Sequence, residues 1–238
     1  MSRYEDPKTV CRQTGGQCAL LDELRREIDT LKQECKKLHE MSHMDMLTGY
    51  YNLRHLLKAL DGEMERTKRT GLPTGFIIID LDNFKQINDH HGHEFGNKVI
   101  QWSCRIWKNS IRRIDIPCRY GGEEFAIILP NTPLEGTMNV AERLRAYLAE
   151  SPLTVEDTTI HVTASFGVDV YTGEDDLAPE DFIHQADQFL LQAKQSGKNR
   201  IKFNKNKIIK SETEISPAER DVLFGNPSNG DKDSPSDG

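Results

Sequence analysis

The chain has 238 residues, with 31 Lys+Arg against 38 Asp+Glu and a formal net charge of −7. That length supports one to two domains with a sizeable core, and a net-acidic chain is a poor general binder of nucleic acid. The longest apolar run, Phe125–Leu129, is far short of the roughly 20 residues that cross a bilayer. The N-terminal MSRYEDPKTV lacks the apolar stretch of a signal peptide. Five cysteines, odd in number and without a Cys-x-x-Cys pair, argue against a disulfide framework and a zinc site. These features point to a cytoplasmic protein whose partners are small molecules or other proteins.

Residues 1–20 are polar and aperiodic, which reads as a flexible N-terminus. Leu21, Leu24, Ile28, Leu31, Cys35, Leu38 and Ser42 then recur at alternating spacings of three and four, flanked by charge and free of Pro and Gly. That a/d pattern predicts a coiled-coil dimerisation helix over residues 21–43. The competing reading is an amphipathic helix packed on its own domain. Asn52–Arg69 reads as a helix, stopped by Thr70-Gly71-Leu72-Pro73. Gly75–Asp80 (GFIIID) reads as a buried strand, and Asn97–Ile111 as a helix. Ile116–Tyr120 and Phe125–Leu129 bracket Gly121-Gly122-Glu123-Glu124 as two strands around a hairpin turn. Leu134–Ser151 is helical, Thr159–Tyr171 alternates as a strand, Pro179–Ser196 is a helix and Arg200–Phe203 a closing strand. The order implies an α+β fold with an antiparallel or mixed sheet covered by helices. From residue 204 to 238 the apolar pattern is lost, and residues 225–238 lack the side chains to bury a core, so this tail should be disordered.

Asp80-Leu81-Asp82 lies at the end of an apolar strand, where ligands gather in sheet proteins, and in an extended chain Asp80 and Asp82 face one side. Glu123-Glu124 follows two glycines, which let a backbone approach a ligand closely. Carboxylates from separate segments suit Mg²⁺, a hard ion that completes its shell with substrate phosphates. Each acid pair alone also fits a solvated loop. Lys85, His93, Lys194 and Lys198 could bind phosphate. Gly197-Lys198-Asn199 lacks the upstream Gly and the Ser/Thr of a P-loop.

Taken together, DMLTGYYNLR, DLDNFKQINDHHGHEFGN, RYGGEEF, TASFGV and ADQFLLQAKQSGKNR resemble the GGDEF domains of bacterial diguanylate cyclases, over residues 44–203. The resemblance implies an α+β fold related to the palm of nucleotidyl cyclases and polymerases. It also implies condensation of two GTP into cyclic di-GMP with release of two pyrophosphates. By resemblance, Asp80, the Leu81 carbonyl and Glu123 hold Mg²⁺ (or Mn²⁺), and Glu123 is a candidate acceptor of the 3′-hydroxyl proton. Lys85 corresponds to a lysine that stabilises the transition state. Lys194 and Lys198 grip the terminal phosphates, and Gly121 and Gly122 border the nucleotide. Asn88, His93 and Asn97 match nucleotide-contacting positions, with Asp82 and Glu124 in support. Arg112 and Asp115 have the spacing of the family's inhibitory product site for cyclic di-GMP, to which Arg143 and Arg119 add phosphate contacts. Closing a two-fold ring needs two domains, hence a homodimer.

One departure bears on substrate choice. Family members strict for guanine carry Asp where this chain has Asn97. A carboxylate accepts from both guanine N1–H and the N2 amine, whereas an amide offers one acceptor and one donor, the set that pairs with an adenine edge. Two readings follow: guanine retained through Asn88 and water, or selectivity relaxed toward ATP with cyclic GMP-AMP among the products. Tyr50 and Leu191, also unusual, read as packing changes. The alternative from a different class is a non-catalytic receptor that binds cyclic di-GMP at Arg112–Asp115.

Overall fold

The apolar run around Ile77 becomes β2 (Thr74–Leu81), every residue of which is buried. The structure, a computed structural model, describes residues 22–34, 43–155, 157–174 and 176–205. The chain divides between Met44 and Asp45 into two units. In the first, residues 22–34 form helix α1, with Leu24, Ile28 and Leu31 each about half exposed. Leu21, Cys35, Leu38 and Ser42 of the heptad pattern lie outside the described residues, as do 1–20 and 206–238.

The second unit is built on a six-stranded mixed sheet of order β1-β3-β4-β2-β7-β8. Its other strands are β1 (Tyr51–Asn52), β3 (Ile116–Arg119), β4 (Glu124–Leu129), β7 (Ala164–Tyr171) and β8 (Ile201–Phe203). The outer pairs β1–β3 and β7–β8 are parallel, and the inner ones antiparallel. Its helices are α2 (Leu53–Thr70), α3 (Phe84–His91), α4 (His93–Lys108), α5 (Leu134–Glu150) and α6 (Pro179–Gln195). This α+β architecture is the one the sequence implies.

Alternation along the strands decides which helix meets which side chain. Ile77, Ile79 and Leu81 pack with Phe125, Ile127, Phe166 and Val168 against α3, α4 and α5. Phe76 and Ile78 pack with Ala126 and Ile128 against Leu56, Leu60 and Met64 of α2 and Phe182, Ile183, Ala186 and Leu190 of α6. Each fully buried Ile contributes about 1.5–3 kcal/mol, so the central strand is fixed in register from both faces. Extending the same alternation by two residues puts Asp80 and Glu124 on the α6 side. Gly167 lets α6 come close: an added Cβ would lie 2.3 Å from the Ala186 carbonyl and 2.6 Å from the Leu190 nitrogen.

Several elements differ from the sequence reading, β1 and β5 (Leu153–Val155) among them as strands it did not contain. The helix expected from Asn97 starts at His93, and a separate short helix, α3, precedes it across Gly92 (φ 82). The strand expected over Thr159–Tyr171 divides in two. Its first residues pair as β6 (Thr158–Ile160) with β5 in a small second sheet, and only β7 joins the main one. Tyr50 is a packing residue, 4% exposed, and its hydroxyl donates to the Cys104 carbonyl at 2.8 Å. Leu191, by contrast, is 45% exposed and packs into no core. Cys104 and Cys118 are free and buried, and burial pushes both thiols up to about 12. Among the described residues no helix is long and apolar enough to cross a membrane.

Candidate active site

Asp80 ends up opposite Glu124 in the β2–β4 ladder and opposite Ser165 in the β2–β7 ladder. Directly opposed side chains share a face, so the two carboxylates meet on the α6 side. From α6, Lys194 reaches Asp80 with Nζ–Oδ2 at 2.7 Å. The turn carrying Glu123 is tied to the same strand end, since the Leu81 N–H donates to the Glu123 carbonyl at 3.3 Å.

Charge is in surplus here. Burial pushes the Asp80 carboxyl up, Lys194 opposes the shift, and Glu123 and Asp82 add to it. Glu124 is also pushed up, by burial first and then by Asp80, with Lys194 opposing and Asp187 and Glu123 adding. One ammonium therefore faces several acids. Hard oxygen donors with unbalanced negative charge fit a divalent cation, with Asp80, Glu123 and the Leu81 carbonyl as available ligands. Among the described residues no three His, Cys, Asp or Glu side chains converge as a metal cage. Such a site would need oxygens from a substrate.

The turn between β3 and β4 is closed by Tyr120 N–H to the Glu124 carbonyl at 2.8 Å. A Cβ on Gly121 would lie 2.6 Å from Glu124 Oε2, whereas one on Gly122 would meet nothing within 4 Å. Gly121 thus makes room for a carboxylate of its own turn, and only Gly122 opens toward free space. Arg119 spans this turn. Its guanidinium donates to the Gly121 carbonyl at 3.1 Å, to the Gly122 carbonyl at 2.8 Å, and to both oxygens of Asp45 at 3.2 Å. Those bonds tie most of its donors to the turn and to Asp45, while Nη2 makes only one of them and keeps a second N–H.

Asp80 and Asp82 do not act as a pair. Asp82, 5% exposed, accepts from Ser165 Oγ and Thr163 Oγ1, both at 2.7 Å, and from the Asn199 N–H at 2.9 Å. β2 ends at Leu81, so the extended alternation that would point both acids at one ligand stops between them. Lys198 Nζ donates to Asn83 Oδ1 beside it.

Lys85, His93 and Asn97 are exposed, Lys85 in the first turn of α3 and the other two a turn apart at the start of α4. Asn88 lies on the facing turn of α3, and its Oδ1 is buried with no hydrogen-bond partner among the described residues. Gly96 lets it sit there, because an added Cβ would lie 1.9 Å from that oxygen. The sequence reading missed Gly96, because it began the helix one residue later, at Asn97. It also missed Asp187, whose charge acts on Glu124 and Tyr120, and Asp45.

Apart from this site, Arg112 and Asp115 form one closed turn. The Arg112 N–H donates to Asp115 Oδ2 at 2.6 Å, and the Asp115 N–H to the Arg112 carbonyl at 3.1 Å. Burial pushes the Asp115 carboxyl up, while Arg112 and Arg143 oppose the shift. Arg143, exposed on α5, donates to the Ser110 carbonyl at 2.6 Å. An open cavity of about 300 Å³, lined by Thr48, Tyr50, Gln101, Cys104, Arg105 and Lys108, includes none of the expected site residues.

A family model described as diguanylate cyclase, GGDEF domain, matches residues 42–200. The response regulator PleD of Caulobacter vibrioides is 36% identical over 203 residues, which cover 84% of this chain and 44% of PleD. The diguanylate cyclase VdcA of Vibrio cholerae is 36% identical over 180 residues, 74% of this chain and 51% of VdcA. The chain thus spans about half the length of these relatives. Among solved structures, the diguanylate cyclase SiaD of Pseudomonas aeruginosa, in complex with its activator SiaC, superposes with a TM-score of 0.66 at 33% identity. That match covers 82% of this chain and 76% of SiaD. The active GGEEF domain of a Vibrio cholerae diguanylate cyclase matches with a TM-score of 0.60 at 34% identity, over 64% of this chain and 96% of that domain.

Proposed function

The chain belongs to the GGDEF-domain family, and from that premise we propose that it is a diguanylate cyclase, joining two GTP into cyclic di-GMP with release of two pyrophosphates. The observation that carries this reading is the acid-rich end of β2. There, among the described residues, Asp80, Glu123 and Glu124 outnumber the ammonium of Lys194, which pairs with Asp80. Such a site calls for a divalent cation and for the phosphates that accompany it. Asp80, Glu123 and the Leu81 carbonyl would hold Mg²⁺ (or Mn²⁺), which when bound offsets charge on the triphosphate.

The chain's own groups divide the remaining work. Lys194 and Lys198 bind the terminal phosphates, and Lys85 faces charge that develops during transfer. The Glu123 carboxylate orients the 3′-hydroxyl and can accept its proton. Asn88, His93 and Asn97 hold the base. Asn88 Oδ1, which has no partner among the described residues, is an acceptor for a donor on the ligand. Each domain holds one nucleotide, so the active form is a homodimer joined through a coiled coil over residues 21–43. Arg112, Asp115 and Arg143 take cyclic di-GMP as an inhibitor.

Asn97 supports a second reading of the same site. Its exposed amide presents one donor and one acceptor, which suits an adenine edge, so ATP enters as a second substrate and cyclic GMP-AMP as a second product. A receptor without activity is disfavoured, because it has no use for Asp80 and Glu123 together. Pyrophosphate release and product identity with GTP, ATP and an equimolar mixture separate the readings. Glu123→Gln and Asp80→Asn should each lower turnover to under about a tenth of wild type, a barrier increase above about 1.4 kcal/mol. Retained turnover would mean the metal site lies elsewhere, and cyclic di-GMP alone under excess ATP would refute the Asn97 reading.

A further inference from the structure

Asp82 is a buried carboxylate with no role yet in the chemistry. Among the described residues none of its hydrogen-bond partners is a cation. Its own N–H donates to the Thr163 carbonyl at 2.8 Å, and its side chain takes three donors, the hydroxyls of Thr163 and Ser165 and the N–H of Asn199. Two of those partners flank the start of β7. The third belongs to the loop that leaves α6.

Three of the four non-glycine residues with left-handed φ among the described residues gather at that loop, Asn131 being the fourth. Gly197, Lys198 and Asn199 have φ of 114°, 60° and 44° in succession, and Asn83, facing them, has 58°. Consecutive non-glycine residues in the left-handed region persist only where the surroundings fix them. Here the Lys198 N–H donates to the Ala193 carbonyl at 3.1 Å, which closes the end of α6. Arg145 donates to Asn199 Oδ1 at 3.0 Å. Among the described residues the Asn199 N–H is held by Asp82 alone. The turn so formed brings Lys198 Nζ onto Asn83, the residue after Asp82, while Lys194 one turn earlier in α6 reaches Asp80.

We propose that Asp82 is a positioning residue for phosphate binding: through the Asn199 N–H it holds the left-handed turn Gly197–Asn199 that delivers Lys198 to the terminal phosphates of the substrate. The proposal deepens the cyclase reading and rests on it for the identity of the ligand. A carboxylate suits the task because three converging donors need an acceptor-only group. Asparagine retains one such oxygen, and its amide can donate to a rotated Ser165 hydroxyl, so Asp82→Asn keeps part of the clamp. Alanine keeps none.

The test uses the full chain and two independent readouts. Amide hydrogen exchange at Asn199, measured without nucleotide or metal, reads the clamp itself. Kinetics of pyrophosphate release from GTP read its consequence. Asp82→Ala should lose protection at Asn199 and raise KM about tenfold with kcat nearly unchanged, the pattern of lost uniform binding. Asp82→Asn should fall between it and wild type. Adding Asn199→Gly to Asp82→Ala should restore most of the KM, because glycine adopts positive φ without strain. Thr163→Val, which removes one hydroxyl and leaves the Asn199 contact, should keep KM near wild type. Unchanged exchange in Asp82→Ala, no rescue by Asn199→Gly, or an equal KM rise in Thr163→Val would each overturn the proposal. If the wild type released no pyrophosphate from GTP, the cyclase reading would fall, while the exchange result would still decide the clamp.

Discussion

At Glu124 the fold holds a carboxylate against the preference of its surroundings. Burial opposes its charge most, followed by Asp80, Asp187 and Glu123, with only Lys194 in favour. Its folded-state pKa therefore lies above the ordinary 4.5, and between those two values the folded chain binds a proton that the unfolded chain has released. The stability tied to that proton is fully present below 4.5 and is lost as pH rises through the raised value. At neutral pH the charge is thus a net cost, a common trade at functional sites. Glu124→Gln should raise the melting temperature of the metal-free protein at pH 7 by about 2 °C, a small figure because solvent screens this half-buried group. The gain should disappear as the pH is lowered toward 4.5, and a gain independent of pH would show that packing rather than charge is responsible.

Among the elements, the β3–β4 turn depends on one side chain from beside it. Arg119 satisfies the Gly121 and Gly122 carbonyls and bridges to Asp45. Burial works against the Asp45 charge, but hydrogen bonds from Thr48 and the Arg119 guanidinium outweigh it and hold its pKa below the usual range. Its contribution is therefore present at neutral pH and lost as pH falls through that depressed value. Arg119→Lys keeps the charge but not the planar fork. It should lower turnover about tenfold or more through a displaced Glu123, with a much smaller change in melting temperature; wild-type turnover in Arg119→Lys would show that the turn holds its shape unaided.

This strut was not legible in the sequence, because Asp45 and Arg119 are 74 residues apart and the motif stretches they begin do not say that the two pair. β2 was legible for the opposite reason: a short apolar run rich in Ile, just after the Gly71-Leu72-Pro73 break, reads as a strand buried on both faces, and the two-residue period of a strand places Asp80. The β5–β6 hairpin was hidden because Thr159 and Ile160 alternate as well as the residues that join the main sheet. The motif residues around β2 and α4 could be listed in advance. Which acid faces a ligand and which clamps a loop depended on where the strand stopped.

For the whole molecule, the question is what brings two such sites together. Residues 22–34 form a helix whose Leu24, Ile28 and Leu31 are about half exposed. A helix of that length is marginal alone in water, and a stripe at three- and four-residue spacing is stable once a second copy covers it. In the proposed homodimer the pairing converts the meeting of two loaded domains into an event between tethered partners, at an effective concentration set by the linker. Dilution then has little effect on specific activity in the wild type. Leu24→Lys combined with Leu31→Lys puts like charges on the seam and should make specific activity fall with dilution and recover at high protein concentration. Sedimentation should show the loss of dimer over the same range. The substitutions lie outside the 45–205 unit, so its melting transition should be unmoved. Activity that stays independent of concentration while the variant sediments as a monomer would mean that the catalytic domains find each other without the helix.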